Sequence, residues 1–151
     1  MTQGPSPLPG SGYHHGVTAG WYPDPSGDWE LRWWDGVLWT ADVVTGTFRC
    51  QEPIGPVPVP VVEQVLWDGE GHRLTTHRVW VHEPGSGRPP EELPLWTIAH
   101  VEVTASRVTM SVAYPGYGGR VTYVIRSTAA PLVGALVHAW ANRNRRAALR
   151  L

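Results

Sequence analysis

The sequence predicts a mainly β (α+β) protein. A small tryptophan-rich β-hairpin or three-stranded module is expected first, then a β-sheet or barrel closed by a C-terminal amphipathic α-helix. Three observations carry this expectation. Asp35-Gly36 separates two aromatic, β-prone runs, and Asp-Gly is a strong hairpin signal. Between residues 62 and 126 apolar residues recur at every second position, the period of a strand. After Ser127 the period becomes helical.

Bulk properties narrow the choices further. A chain of 151 residues, 42% apolar, holds one ordinary domain or a small module beside a compact one. The 17 glycines and 15 prolines imply folded segments joined by Pro/Gly-rich connectors. Residues 1–61 carry six acids and two arginines, and residues 62–151 seven acids and ten arginines. That tilt is too mild to imply nucleic acid. The sequence has no lysine, which excludes a P-loop, Schiff-base chemistry and pyridoxal chemistry. No cofactor is therefore expected. Cys50, alone, allows no internal disulfide and fits a reducing compartment. No run of 18 apolar residues is present, and residues 1–20 lack the pattern of a secretory signal. The expected location is cytoplasmic, with peripheral membrane attachment as the alternative.

In chain order, residues 1–19 read as a disordered tail, too poor in apolar surface to offset ordering entropy. The His14–His15 pair within it reads as incidental. Residues 20–46 form the tryptophan-rich module, with strands predicted at Trp29–Trp34 and Val37–Val44. A type I′ turn at Asp35-Gly36 would set Trp34 opposite Val37 and Arg32 opposite Trp39. Arg32, Trp34, Val37 and Trp39 would then share one face, with Leu31, Trp33, Leu38 and Thr40 on the other. Trp21-Tyr22-Pro23 would lie across one face as an extended arm.

The string Gly20-Trp21-Tyr22-Pro23-Asp24-Pro25-Ser26-Gly27, with Arg32-Trp33-Trp34-Asp35-Gly36 and Trp39-Thr40, resembles the domain of unknown function 2510 family. The resemblance covers about 25 residues. It implies the module and no particular activity.

Residues 47–61 read as a linker, because Pro53, Pro56, Pro58 and Pro60 forbid helix and favour extended backbone. Strands are predicted at Val62–Trp67, Leu74–Val81, Leu95–Val103, Val108–Tyr114 and Val121–Arg126, with Pro115–Gly119 as a hairpin loop. Ser127 or Thr128 caps the helix, and Leu132, Val133, Leu136, Val137 and Trp140 form its apolar stripe. A β-meander ending in one such helix resembles the bacterial pleckstrin-homology-like (PH-like) domain. Leu74-Thr75-Thr76-His77-Arg78-Val79 and Glu92-Leu93-Pro94-Leu95 carry that resemblance over residues 62–151.

Catalytic patterns are lacking. His72, His77 and His82 are spaced by five, which alternates strand faces and prevents all three meeting on one metal. No HExxH and no GxSxG occurs. Asp24, Asp28 and Asp35 fall at predicted turns, where Asp bonds local backbone. A non-enzymatic binding or scaffold protein with a protein or peptide partner is thus expected. Its candidate aromatic surface is Trp33, Trp34, Arg32, Trp39 and Trp21, with Trp21 and Trp39 weighted toward the core. Arg143, Arg145, Arg146 and Arg150 are candidate contacts to an anionic membrane surface, or else a solvated helix end.

Overall fold

A computed structural model describes residues 17–55, 57–113 and 119–149. The His14–His15 pair, nearly all of the predicted tail, most of the predicted loop 115–119, and Arg150 lie outside the described residues. The chain divides into two compact units, the boundary falling between Pro56 and Val57.

The first unit is one antiparallel four-stranded sheet, β1 (Gly20–Pro23), β2 (Leu31–Trp34), β3 (Trp39–Thr45) and β4 (Phe48–Gln51), in that spatial order. Trp21-Tyr22-Pro23, expected as an arm across a face, instead lies in β1 and pairs along β2 at the sheet edge. Two further details differ from the sequence expectation. First, β4 occupies the start of the segment read as linker. Phe48 pairs with Thr45 across a two-residue turn whose Gly46 has φ 59°, a place where glycine bears no steric penalty.

Second, the turn after β2 is wider than two residues. Trp34, not Arg32, faces Trp39, and Arg32 faces Val43. The Asp35 amide donates to the Leu38 carbonyl at 3.1 Å. A type I′ turn needs φ > 0 at both central positions, and Asp35 does not adopt it. Its carboxylate instead accepts the amides of Val37 and Leu38, both at 2.7 Å. The Leu38 and Val37 amides hold that carboxyl below its usual range. Val37 and Leu38 consequently sit exposed at the tip instead of on a sheet face. A bulge in β3 adds two more residues to the offset, and there the Thr40 hydroxyl donates to the Trp33 carbonyl and accepts the Asp42 amide.

Gly36 has φ 102° and open space around it, the nearest heavy atom to an added Cβ being 4.0 Å away. Gly36→Val should therefore cost backbone strain without a clash, about 1–3 kcal/mol. Near-UV circular dichroism of a thermal melt should show the tryptophan transition at lower temperature. An unshifted transition would mean that the turn does not need glycine.

The second unit has seven strands and one helix. A four-stranded antiparallel sheet comprises β5 (Val65–Gly69), β6 (His72–Thr75), β7 (Arg78–Val81) and β8 (Glu91–Pro94). A 3-10 turn at Leu95–Thr97 leads to β9 (Ile98–Val103), β10 (Arg107–Ala113) and β11 (Arg120–Arg126), a three-stranded antiparallel sheet ordered β11-β10-β9. The helix α1 runs from Ala130 to Leu149. The predicted strand 74–81 is split by a turn at Thr76-His77, and β8 adds a strand not read from the sequence. The type I′ signature occurs at Glu70-Gly71, where φ is 56° and 84°. Among the described residues no strand pairing joins the two sheets into a closed barrel.

The core draws on every layer: Leu74, Val79 and Leu93 from one sheet, Ile98, Val108, Met110, Val112 and Ile125 from the other, and Ala130, Val133, Val137 and Ala141 from α1. On β10 the alternate residues Val108, Met110 and Val112 are buried, whereas Val121 on β11 is exposed. On α1 the buried stripe is rotated from the predicted one, and Leu132, Leu136 and Trp140 pack at its margin. The Ser127 hydroxyl accepts the Ala129 amide at the helix start. At Gly134 a Cβ would lie 2.2 Å from a Val103 methyl, so glycine lets α1 lie close to β9. No helix is long and apolar enough to cross a membrane among the described residues.

Candidate functional site

The first unit is held by a buried polar knot. Arg32 and Asp24 have side chains only 2% and 1% exposed, with Nε donating to the carboxylate at 2.8 Å. Asp24 also accepts the Trp29 amide at 3.2 Å and the Ser26 amide at 3.3 Å, and the Ser26 hydroxyl donates to it. Arg32 Nη1 donates to the carbonyls of Thr40 at 3.0 Å and Glu52 at 2.9 Å. The indole of Trp29 donates to the Glu52 carboxylate. A buried charge persists only when paired and hydrogen-bonded, and here both partners are. Around this knot lie Trp29, Trp34, Trp39 and Val43, all buried, with Trp34 and Trp39 edge to face at 5.2 Å.

The opposite face carries the other aromatic pair. Trp21 and Trp33 are direct cross-strand partners, half-buried, with ring centroids 5.4 Å apart. The Arg49 guanidinium sits 5.0 Å from the Trp21 ring, and Asp42 lies 3.8 Å from Arg49. Edge-to-face rings and a stacked cation are mutually attractive, by about 0.5–1.5 kcal/mol per contact. The tract is a semi-exposed shelf of two indoles and a guanidinium.

Of the five candidate aromatic-surface residues, only Trp21 and Trp33 therefore reach a surface. Arg32, Trp34 and Trp39 are frame, because the pleat turns them inward with Tyr22 and Val43. Arg49 belongs with the shelf and was assigned to the linker instead. The knot was also missed, although a signal for it exists. An arginine alternating with inward tryptophans demands an acid, and Asp24 is the nearest acid in the preceding turn.

Among the candidate C-terminal arginines, Arg143, Arg145 and Arg146 do not form a solvated row. Arg143 is buried, 3% exposed, with its guanidinium 4.5 Å from the Trp140 ring. Arg145 donates to the Ile98 carbonyl, and burial pushes its guanidinium down from the usual range. Arg146 is half-buried. Long arginine stems cover apolar surface while their heads find acceptors, so these side chains serve packing.

No group of three or more metal-ligating side chains occurs among the described residues. His77 bonds the Thr76 hydroxyl at the β6–β7 turn. His72 is buried and stacked on Trp67, and its Nδ1 accepts the His82 amide at 3.0 Å. Arg73 pairs with Asp68, and Arg78 with Glu63 and Glu92.

Burial lowers the His72 pKa, with Glu70 opposing and His82 adding to the shift. Its folded pKa thus lies below its unfolded one, so the unfolded chain binds the proton first. The contribution is complete above about pH 6.5 and is lost as pH falls through the folded value. Urea melts at pH 7 and pH 5 should show a loss of stability on acidification that His72→Gln reduces. Equal losses in both proteins would remove His72 as the cause.

Residues 19–57 match the model of a family described as protein of unknown function (DUF2510). The matched span holds all four strands of the first unit, the Asp24–Arg32 knot and the Trp21–Trp33 shelf. Among curated proteins none matches the chain.

Proposed function

We propose that the protein is a non-catalytic adaptor of the cytoplasm that recognises an extended peptide segment of a protein partner. The observation that carries this reading is the Trp21–Trp33 shelf, semi-exposed, stacked with Arg49, and backed by a frame that buries its remaining tryptophans. Rigid aromatic side chains flanked by a cation offer large contact area at little entropic cost, as peptide-binding surfaces require. In the same reading the second unit is a PH-like domain. Seven antiparallel strands divided four and three, followed by one helix against both sheets, support that assignment. Attachment to anionic lipid through the C-terminal arginines draws no support from Arg143 and Arg145, whose guanidinium groups are committed to Trp140 and Ile98.

The test is selection of linear peptides from a random display library on the full chain, followed by titration calorimetry. Selected peptides should lose affinity about tenfold or more, equivalent to about 1.4 kcal/mol, with Trp33→Ala or Trp21→Ala, each measured well below its own lowered melting midpoint. Affinity that survives both substitutions would overturn the shelf as the site.

A further inference from the structure

Residues 82–90 join β7 to β8 and are exposed along most of their length. This strap mostly holds itself. The Ser86 amide and hydroxyl donate to the Glu83 carbonyl at 3.3 and 2.8 Å, and the Arg88 amide donates to the Ser86 hydroxyl at 3.1 Å. At its start the His82 amide donates to Nδ1 of His72 on β6 at 3.0 Å. Beyond its end, on β8, Glu91 accepts the Tyr123 hydroxyl at 2.7 Å. Between these two ties the strap forms one wall of a cleft of about 360 Å³, with Thr122, Val124 and Arg126 of β11 on the other side.

The tie at His72 fixes a protonation state. A backbone amide can only donate, so Nδ1 must offer its lone pair and the ring proton sits on Nε2. A proton on Nδ1 would set two donors against each other and break the tie. Burial also opposes the charge, because His72 is 4% exposed and stacked on Trp67. Two ionisable groups act on the ring: the Glu70 carboxylate favours the proton, and the His82 imidazole opposes it. Glu70 is itself engaged by the Ser127 hydroxyl at 3.2 Å. Asp68 and Arg73, which border a pocket with His72, pair with each other. The His82 side chain sits against the β5–β6 turn, where a Cβ on Gly71 would lie 3.0 Å from its ring. Both imidazoles therefore flank one turn.

We infer that His72 is the catch of a pH-operated strap: the neutral ring holds the His82 amide, and the protonated ring lets residues 82–90 lift and opens the cleft along β11. The closed form needs a neutral imidazole, so it binds the proton less tightly than the open form. Closure is complete above about pH 6.5 and weakens about tenfold per pH unit below that, until the closed form itself takes the proton. The device lies within the second unit and does not depend on the Trp21–Trp33 shelf.

The test is amide exchange and imidazole nitrogen shifts on isotope-labelled full chain, from about pH 7.5 to about pH 5. At the upper end His72 should show an unprotonated Nδ1. Protection of the His82 amide should fall about tenfold per pH unit below about pH 6.5, while the Val108 and Met110 amides of central strand β10 keep theirs. His72→Gln still offers an acceptor and does not titrate, so protection of the His82 amide should become independent of pH. His72→Phe accepts nothing and should leave that amide unprotected throughout. His82→Gln keeps the backbone donor and should keep the pH dependence. Three results would each overturn the inference: constant protection in the wild type, an equal fall in His72→Gln, or loss at Val108 and Met110 in step with His82. If the His72 variants fold poorly, the wild type decides alone. The midpoint of Nδ1 protonation should coincide with the onset of lost His82 protection, and separate midpoints would sink the catch.

Discussion

Asp24→Ala should unfold the first unit at room temperature. The substitution strands the Arg32 guanidinium, 2% exposed, without its carboxylate, and it also removes the acceptor for the amides of Ser26 and Trp29. Removing one member of a buried pair costs about 3–5 kcal/mol. A unit of about 40 residues has only about 2–6 kcal/mol in hand at ordinary per-residue stability. The near-UV signal of the buried indoles should therefore collapse, and amide resonances of residues 20–52 should move to random-coil positions. Replacing both partners, Asp24→Leu with Arg32→Met, should restore much of the lost stability, since no charge is then left buried. A cooperative wild-type melt for Asp24→Ala would show that the pair is not what holds β2 to the turn before it.

Val137→Asp should have a comparable effect on the second unit. Val137 is fully buried beside Val133 and Ala141, where α1 meets residues of both sheets. A carboxylate there has no partner, and burying one costs several kcal/mol even after it protonates. Loss of the helical and sheet signals of residues 65–149 is expected, with aggregation as the sheets expose their inner faces. Trp140→Ala should be milder, because Trp140 packs at the margin of the core, and part of its effect should come through Arg143, which stacks on it. If Val137→Asp melts like the wild type, the helix is not part of the core.

The legible part of the fold was whatever depended on local period. The inward row Val108, Met110, Val112 and the helix after Ser127 follow from alternation and from spacing by three and four. What escaped depends on geometry that pattern does not encode. Asp35-Gly36 has the composition of a two-residue turn, but the Asp35 carboxylate bonds two following amides and widens it, which together with the bulge in β3 moves the partner of Arg32 from Trp39 to Val43. β4 escaped because Pro53 and its neighbours coloured the reading of Phe48–Gln51, which are themselves good strand formers. The helix stripe was misplaced by about one residue because Leu and Trp dominate any hydropathy count, while Ala130, Gly134 and Ala141 allow the closest approach. At the shelf, pleat alone could not decide which tryptophans face out, since both faces of β2 are aromatic.

Glu52 gives the first unit a mechanical property. It is the residue through which the chain leaves the sheet toward the prolines, and it is fastened three times: its amide to Ala41, its carbonyl to Arg32, its carboxylate to Trp29. Traction arriving along the proline segment meets this bolt before it reaches any rung of the β3–β4 ladder. The bolt ties the departing chain to the same arginine that anchors Asp24 near the chain's entry. Tension would thus be borne by the interior of the unit, and failure under load should be abrupt, with no gradual peeling of β4.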